Sequence, residues 1–183
     1  MQPWKTISRQ VVLEQAPFLT VEKHEVELPD GRVIPDWSWI ITPDFVNVVA
    51  ITEQNKFLCF RQMKYGIEGT SLAPVGGFME PNETPLASAQ RELLEETGYE
   101  AREWIDLGSY RVDPNRGAGI GYLWLARGAH KVMDPNADDL EEQIFLQLDE
   151  AEMKSALARG DFKVMSWTAG VAMALLYLDR EAK

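Results

Sequence analysis

Glu92, Glu95 and Glu96 stand within five positions of a 183-residue chain that already carries a formal net charge of -11. They lie in the run GGFMEPNETPLASAQRELLEETGY, Gly76 to Tyr99. Within it Thr84 suits a helix N-cap, Pro85 the first helical position and Gly98 the residue just past the end. The spacing therefore predicts a helix over Pro85 to Thr97. At about 100° per residue, Leu86, Ala89, Gln90, Leu93 and Thr97 share one mostly apolar side, and the three glutamates crowd an arc of about 100° on the other. Glu92 faces Glu95 at i+3 and Glu96 at i+4, and like charges at those spacings cost about 0.2–0.5 kcal/mol per pair. The three also sit toward the negative end of the helix dipole. Arg91 is the one cation in the helix. A solvated acidic face would bear that cost without return, whereas a divalent cation removes it. Carboxylates on a rigid face are hard oxygen ligands suited to Mg²⁺, with Mn²⁺ as the alternative, and such ions also take substrate phosphates as ligands. Histidine-based zinc chemistry is disfavoured, because the two histidines, His24 and His130, are far apart in sequence.

The rest of the chain must position that helix. Its length fits one domain with a small extension, and its 45% hydrophobic and 26% charged content is ordinary for a globular protein. The 29 acidic against 18 basic residues argue against a nucleic-acid or anionic-membrane surface. They also mean that a phosphate-bearing ligand needs a local positive charge. Lone Cys59 reads as a buried strand thiol, consistent with a reducing compartment. The first ten residues lack a signal-peptide core, and the run VAMALLYL is too short to span a bilayer, so a cytoplasmic protein is expected.

From about Gln10 to Met63 the pattern is strand-like, with PDGR (Pro29 to Arg32) as a turn. Trp37 and Trp39 share one strand face, where they pack against a core or a partner subunit, or stack on a base. After the glutamate helix come two strand-like stretches, WIDLGSYRV and IGYLWLARGAHKV, separated by DPNRGAG. GAGIG, with no helix behind it, reads as a flexible loop entering a strand. IFLQL is a last strand. One helix follows from near Asp149 to Gly160. Another starts near Ser166, is apolar almost all round, and is expected to pack deep. Strands on both sides of a helix with helices at the end suggest a mixed sheet with helices on its faces, an α+β fold.

Gly77, five residues, Glu83, seven residues, then Arg91-Glu92-Leu93-Leu94-Glu95-Glu96-Thr97-Gly98-Tyr99 resembles the Nudix box. Tyr99, where the family usually has an aliphatic residue, is the one departure. The resemblance implies the Nudix fold, an α/β/α sandwich with the box as loop–helix–loop. It further implies hydrolysis of a nucleoside diphosphate linked to another moiety. Carried over, Glu92 and Glu96 match the principal metal ligands and Glu95 an additional one. Gly76 would lend its backbone carbonyl, and Arg91 and Glu83 would brace the motif as a salt bridge. RVIPDWSWIITPDFVNVVAIT, RQMKYGIEG, GGFMEPNE and GDFKVMSWTAGVAMALLYL resemble the ADP-ribose pyrophosphatase and nucleotide-sugar hydrolase branch. Pro114, fifteen residues beyond Tyr99, points the same way (99 + 15 = 114). Two departures touch the substrate: the branch's glutamate ahead of the box is missing from Leu72-Ala73-Pro74-Val75-Gly76-Gly77, and Lys64 replaces an arginine, which keeps the charge but loses the bidentate fork.

The same resemblance implies an N-terminal β extension over 1–42 that dimerises, a hydrolase domain over 43–183, and a homodimer in which Trp37 and Trp39 help to bind the base. The general base would be Glu141 or Glu142, in DDLEEQIF, with Glu96 at the catalytic centre. Arg61, Lys64 and Arg116 are candidate phosphate contacts. The expected reaction is ADP-ribose to AMP and ribose 5-phosphate. The alternatives are a GDP- or UDP-sugar, a dinucleotide or a nucleoside triphosphate as substrate, or a non-catalytic nucleotide-sugar sensor.

Overall fold

The computed structural model describes residues 1–136 and 142–181. The chain divides into two compact units, one of Met1–Asp44 with Tyr110–Ile120, the other of Phe45–Ser109 with Gly121–Lys183.

The first unit is built on an antiparallel sheet of β1 (Lys5–Gln15), β2 (Leu19–Glu27) and β3 (Val33–Ile41), in that order. Asp30 caps the turn between β2 and β3 by accepting from the Arg32 backbone at 3.1 Å and from Arg32 Nε at 2.7 Å. The 110–120 segment is tied to this unit by three hydrogen bonds. Gly119 N donates to Thr42 Oγ1 at 2.8 Å, Ile120 N to Asp44 Oδ1 at 2.7 Å, and Trp37 Nε1 to the Asn115 carbonyl at 3.0 Å.

The second unit is a seven-stranded mixed sheet with helices on both faces. β4 (Phe45–Thr52), β5 (Phe57–Gln62), β6 (Ser71–Ala73), β7 (Tyr99–Glu100), β8 (Glu103–Arg111), β9 (Ile120–Lys131) and β10 (Gln143–Leu148) form it, in the order β10-β5-β4-β9-β7, with β6 on β5 and β8 on β9. β4 and β9 run parallel; β5 is antiparallel to β4, β6 and β10. Side chains alternate across the sheet. Val46, Val48, Ala50, Leu58 and Phe60 pack against Ala89 and Leu93 of α1 (Pro85–Thr97). Val49, Ile51, Phe57 and Cys59 pack against Met153 and Ala156 of α2 (Glu150–Arg159) and Val171, Ala174 and Leu175 of α3 (Met165–Glu181). This is the expected α/β/α arrangement. Cys59 is fully buried, and that burial pushes its thiol up to about 12.

The helix boundaries follow the sequence chemistry. Thr84 Oγ1 accepts from Ala87 N at 3.2 Å, Pro85 opens α1, and Gly98 closes it at φ 74° with its N–H on the Leu94 carbonyl. Asp149 and Glu152 form a capping box at α2. Three readings change. β1 starts five residues earlier than the sequence pattern suggests, because all eleven of its residues are exposed and carry no inside-outside alternation. β6 opens SLAPVGGFMEPNE, a stretch whose glycines and prolines read as a loop in the sequence. α3 is not buried all round, since Met165 and Leu176 are 87% and 63% exposed.

The fold allows no side chain at the end of α1. A Cβ on Gly98 would run into the Met133 carbonyl, and its backbone is left-handed. Gly98→Ala is expected to lower stability by at least about 1–2 kcal/mol, the left-handed penalty alone, read as a fall in the urea midpoint at unchanged slope.

Candidate active site on the glutamate helix and the aromatic cleft

The buried side of α1 consists of Ser88, Ala89, Glu92, Leu93 and Thr97, while Leu86 and Gln90, expected inside, are exposed. The helix is therefore rolled so that Glu92, only 9% exposed, turns inward. There it meets the loop before the helix: a Cβ on Gly77 would overlap the Glu92 carboxylate. Gly76, at φ 157°, is equally confined, because a Cβ there would meet the Val46 carbonyl and the Asn47 amide. Gly76 N donates to Glu96 Oε2 at 3.0 Å. Gly76 and Gly77 thus let the backbone lie directly against two of the three carboxylates.

Arg91 organises the remainder. Its Nε and Nη2 grip Glu83 Oε1 and Oε2 at 2.9 and 3.0 Å, the expected bracing salt bridge. Nη2 also donates to the Phe78 carbonyl at 3.1 Å and Ser88 Oγ at 3.2 Å. Nη1 donates to Glu92 Oε1 at 2.7 Å and Glu95 Oε2 at 3.0 Å. On sequence alone the glutamates stand unrelieved unless a dication binds. The structure corrects that expectation: one guanidinium folds back over its own helix and neutralises two of them. Arg91 is raised further above its ordinary range, first by Glu83, so it is permanently charged. Glu83 moves the other way, from 4.5 to about 2, chiefly because Arg91 hydrogen-bonds its ionised form.

Among the described residues no three acidic, histidine or cysteine side chains form a ready-made metal cage. The donor set still suits a hard dication. Three carboxylates lie on one helix, and Gly77 leaves Glu92 with backbone rather than side chain against it.

The other expected residues fall into separate places. Arg61 follows Cys59 by alternation and lines a cleft of about 480 Å³ with Asp149, Glu152, Ser155 and Arg159 of the α2 side. It is on the sheet face opposite α1 and is not brought to the glutamates. Lys64 lies in the loop after β5, its carbonyl accepting from Ile67 N at 2.9 Å. Glu142 is exposed and immediately precedes β10. Glu141 lies outside the described residues. Arg116, in the first unit, pairs with Asp113 at 3.0 Å.

Trp37 and Trp39, also in the first unit, line a cleft of about 470 Å³ with Trp4, Arg9, His24 and Asn115. Trp4 meets Trp37 edge-on at 5.1 Å, and Trp39 stacks on His24 at 5.0 Å. Pro114 lines the same cleft. Trp4, Arg9 and His24 line the cleft, and the sequence pattern does not single them out. The alternation of Glu22, His24 and Val26 is the available signal for His24, but only pairing with β3 shows that it faces the tryptophans.

A carboxylate-faced helix on a mixed sheet, with glycine-walled backbone beside it, has the donor chemistry of a hydrolase acting on a phosphate-bearing substrate. Comparison with known proteins gives the family. The NUDIX domain model matches residues 42–168, and the model for the nucleoside diphosphate sugar hydrolase N-terminal domain matches residues 4–40. The chain belongs to the Nudix family and is a Nudix pyrophosphatase, of a family that generally works with divalent metal ions. It is 32% identical over 84% of its length to the methanol dehydrogenase activator of Bacillus methanolicus, covering 80% of that protein. It is 26% identical over 96% of its length to the ADP-ribose pyrophosphatase of Bacillus subtilis (strain 168), covering 92% of it. It is 29% identical over 91% of its length to a CMP-5'-(N-acetyl-N-hydroxy-3-aminopropyl)phosphonate hydrolase of Streptomyces rubellomurinus (strain ATCC 31215), covering 80% of it. The crystal structure of an ADP compounds hydrolase shares the fold at a TM-score of 0.81 and 19% identity, over 99% of this chain and 97% of that one.

The Glu83–Arg91 pair makes the box helix acid-sensitive. Glu83's folded pKa lies below its unfolded one, so its contribution is complete above about pH 4.5 and is lost as pH falls toward about 2. Glu83→Gln is expected to cost about 2–3 kcal/mol at pH 7. Urea titrations at a series of pH values should show the gap between variant and parent closing as pH drops through that window. A gap that stays constant would detach Glu83's ionisation from the stability of the box.

Proposed function

We propose that the protein hydrolyses the diphosphate linkage of nucleoside diphosphate sugars, with ADP-ribose, cut to AMP and ribose 5-phosphate, as the best-supported substrate. One observation carries the reading: the glutamate helix and the three-tryptophan cleft occur in one chain, one suited to a charged diphosphate and the other to a flat base. The names of two relatives support it, an ADP-ribose pyrophosphatase and a hydrolase of a CMP-linked phosphonate, which share a nucleotide joined through phosphorus to a second group.

In this reading Glu92, Glu95 and Glu96, with the Gly76 carbonyl, hold Mg²⁺ or Mn²⁺. A dication held there would supply charge neutralisation for the diphosphate and a lowered pKa for the attacking water. The chain's own part is positional. Arg91, anchored on Glu83, holds the Glu92 and Glu95 carboxylates beside one another through Nη1. Gly76 N–H steadies the Glu96 carboxylate through one of its oxygens. Glu142, or Glu141 beside it, takes the proton of the attacking water. Lys64 and Arg116 are the phosphate contacts of their respective units, and Trp37 and Trp39 take the base. The buried free thiol of Cys59 suits a reducing cytoplasm.

We further propose that the functional form is a homodimer built on the first unit. β1 is an edge strand along which Ile7, Val11, Val12 and Leu13 are 42–64% exposed, and a second copy is the simplest cover for it. Light scattering should give twice the 20.7 kDa chain mass, and Val12→Lys should shift it toward the monomer.

A sensing role is the second reading, favoured by the relative named as an activator of methanol dehydrogenase. Incubation with Mg²⁺ and a panel of ADP-ribose, UDP- and GDP-sugars, NADH and dNTPs separates the two. The hydrolase releases phosphomonoesters, most rapidly from ADP-ribose. A sensor binds ADP-ribose tightly without turnover. Glu96→Gln is expected to cut kcat by about two orders of magnitude or more, with unchanged circular dichroism. Activity within a few-fold of the parent would remove Glu96 from the metal set.

A further inference from the structure

His24 lines the aromatic cleft and Glu22 is hydrogen-bonded to it, and neither has a part in the reaction above. β2 directs Glu22, His24 and Val26 to one face, and the register puts His24 opposite Trp37 and Glu22 opposite Trp39. His24 is 2% exposed. Its ring stacks on the Trp39 indole, with centroids 5.0 Å apart and planes 20° from parallel. His24 Nε2 lies 2.6 Å from Glu22 Oε2, on a carboxylate whose side chain is 14% exposed. Gly117 confines the same indole along its Nε1–Cζ2 side, where a Cβ would overlap the ring. Trp37 is fixed independently by its hydrogen bond to the Asn115 carbonyl.

Burying an imidazole and most of a carboxylate carries a desolvation cost that a leucine or phenylalanine in the same space would not. The pair supplies what an apolar filler lacks. A ring nitrogen tied to a carboxylate two residues away fixes the imidazole's rotation about its Cβ–Cγ bond, and a fixed ring plane fixes the indole stacked on it. Arg9, opposite His24 on β1, and Trp4, against Trp37, complete the wall, so the tryptophan planes are set before any ligand arrives.

We propose that Glu22 and His24 are a positioning pair that holds Trp39 in the plane against which the substrate's base is bound. This rests on the reading of the cleft as the base site. His24 touches neither the scissile phosphates nor the base; it acts through Trp39. The consequence is a specific split: loss of the pair weakens recognition of the base, not of the sugar phosphate, and raises KM while leaving the chemical step alone.

The test uses AMP as probe, with the full chain in EDTA and tryptophan fluorescence as readout; ribose 5-phosphate is the base-free control. His24→Ala is expected to weaken AMP binding about tenfold, within the range for loss of one base-stacking contact, without altering any response to ribose 5-phosphate. With ADP-ribose and Mg²⁺, KM should rise by a similar factor while kcat stays within about twofold, the signature of lost ground-state and transition-state binding alike. Glu22→Gln, which leaves the ring but loosens its tie, should lose about threefold, and His24→Phe, which refills the space untethered, should recover only part of the alanine loss. The last two carry the test if the alanine variant does not fold. AMP binding within about twofold of the parent in both overturns the proposal, since twofold is only about 0.4 kcal/mol. Trp39→Ala separates the two levels. If it leaves AMP affinity intact, the cleft is not the base site and the underlying reading fails. If it abolishes AMP binding while Glu22→Gln and His24→Phe do not weaken it, only the positioning role fails.

Discussion

The Arg91 guanidinium is the interaction on which the box helix depends. Its contacts divide cleanly: Nε and Nη2 are committed to Glu83, the Phe78 carbonyl and Ser88, and Nη1 alone to Glu92 and Glu95. The first set ties the helix to the loop that precedes it. The second holds two carboxylates that would otherwise repel. One side chain thus fixes both the shape of the loop–helix junction and the charge balance of its functional face. A lysine has one ammonium and could not serve both sets.

Much of this was legible in the sequence because the signals were local. Thr84, Pro85 and Gly98 marked the limits of α1 to the residue, and Asp149 and Gly160 did the same for α2. The sheet with helices on both faces followed from element order. What was not legible depended on contacts between distant residues. β1 has eleven exposed residues and is a strand only because β2 pairs with it. The buried face of α1 includes Ser88 and Glu92, not Leu86 and Gln90, because the glycine-walled loop accepts a carboxylate where helical periodicity alone would seat leucine. Arg61 reads as a phosphate ligand by its charge, yet the pleat sends it to the α2 face. The Glu22–His24–Trp39 stack required the β2–β3 register, which no local signal encodes.

The two units present different surface chemistry. Tryptophan planes held by a hydrogen bond, a ring stack and close backbone line a largely aromatic cleft. The glutamate face is the reverse, strongly charged and indifferent to shape beyond the spacing of its oxygens. A chain of net charge -11 cannot attract a diphosphate by its general field. In the proposed reading, affinity for such a substrate comes from apolar stacking on the base and from cations at the phosphates rather than from the field of the whole chain.

Charge balance inside the box also separates folding from metal binding. The helix carries two like-charge pairs involving Glu92, at about 0.2–0.5 kcal/mol each. Against this stand two charge-assisted hydrogen bonds from Nη1, each worth about 1.5–3 kcal/mol where solvent is limited. Glu95, with its side chain 46% exposed, warrants the low end of that range, and Glu92, at 12%, the high end. Even so discounted, the internal cation outweighs the repulsion. Carboxylate crowding is therefore not by itself a demand for a dication, since the chain supplies its own counter-charge. What Arg91 cannot supply is a centre that binds phosphate oxygens and activates water while remaining bound to Glu92 and Glu95. In the proposed function the glutamates serve that chemistry, and Arg91 offsets their repulsion whether or not an ion is bound.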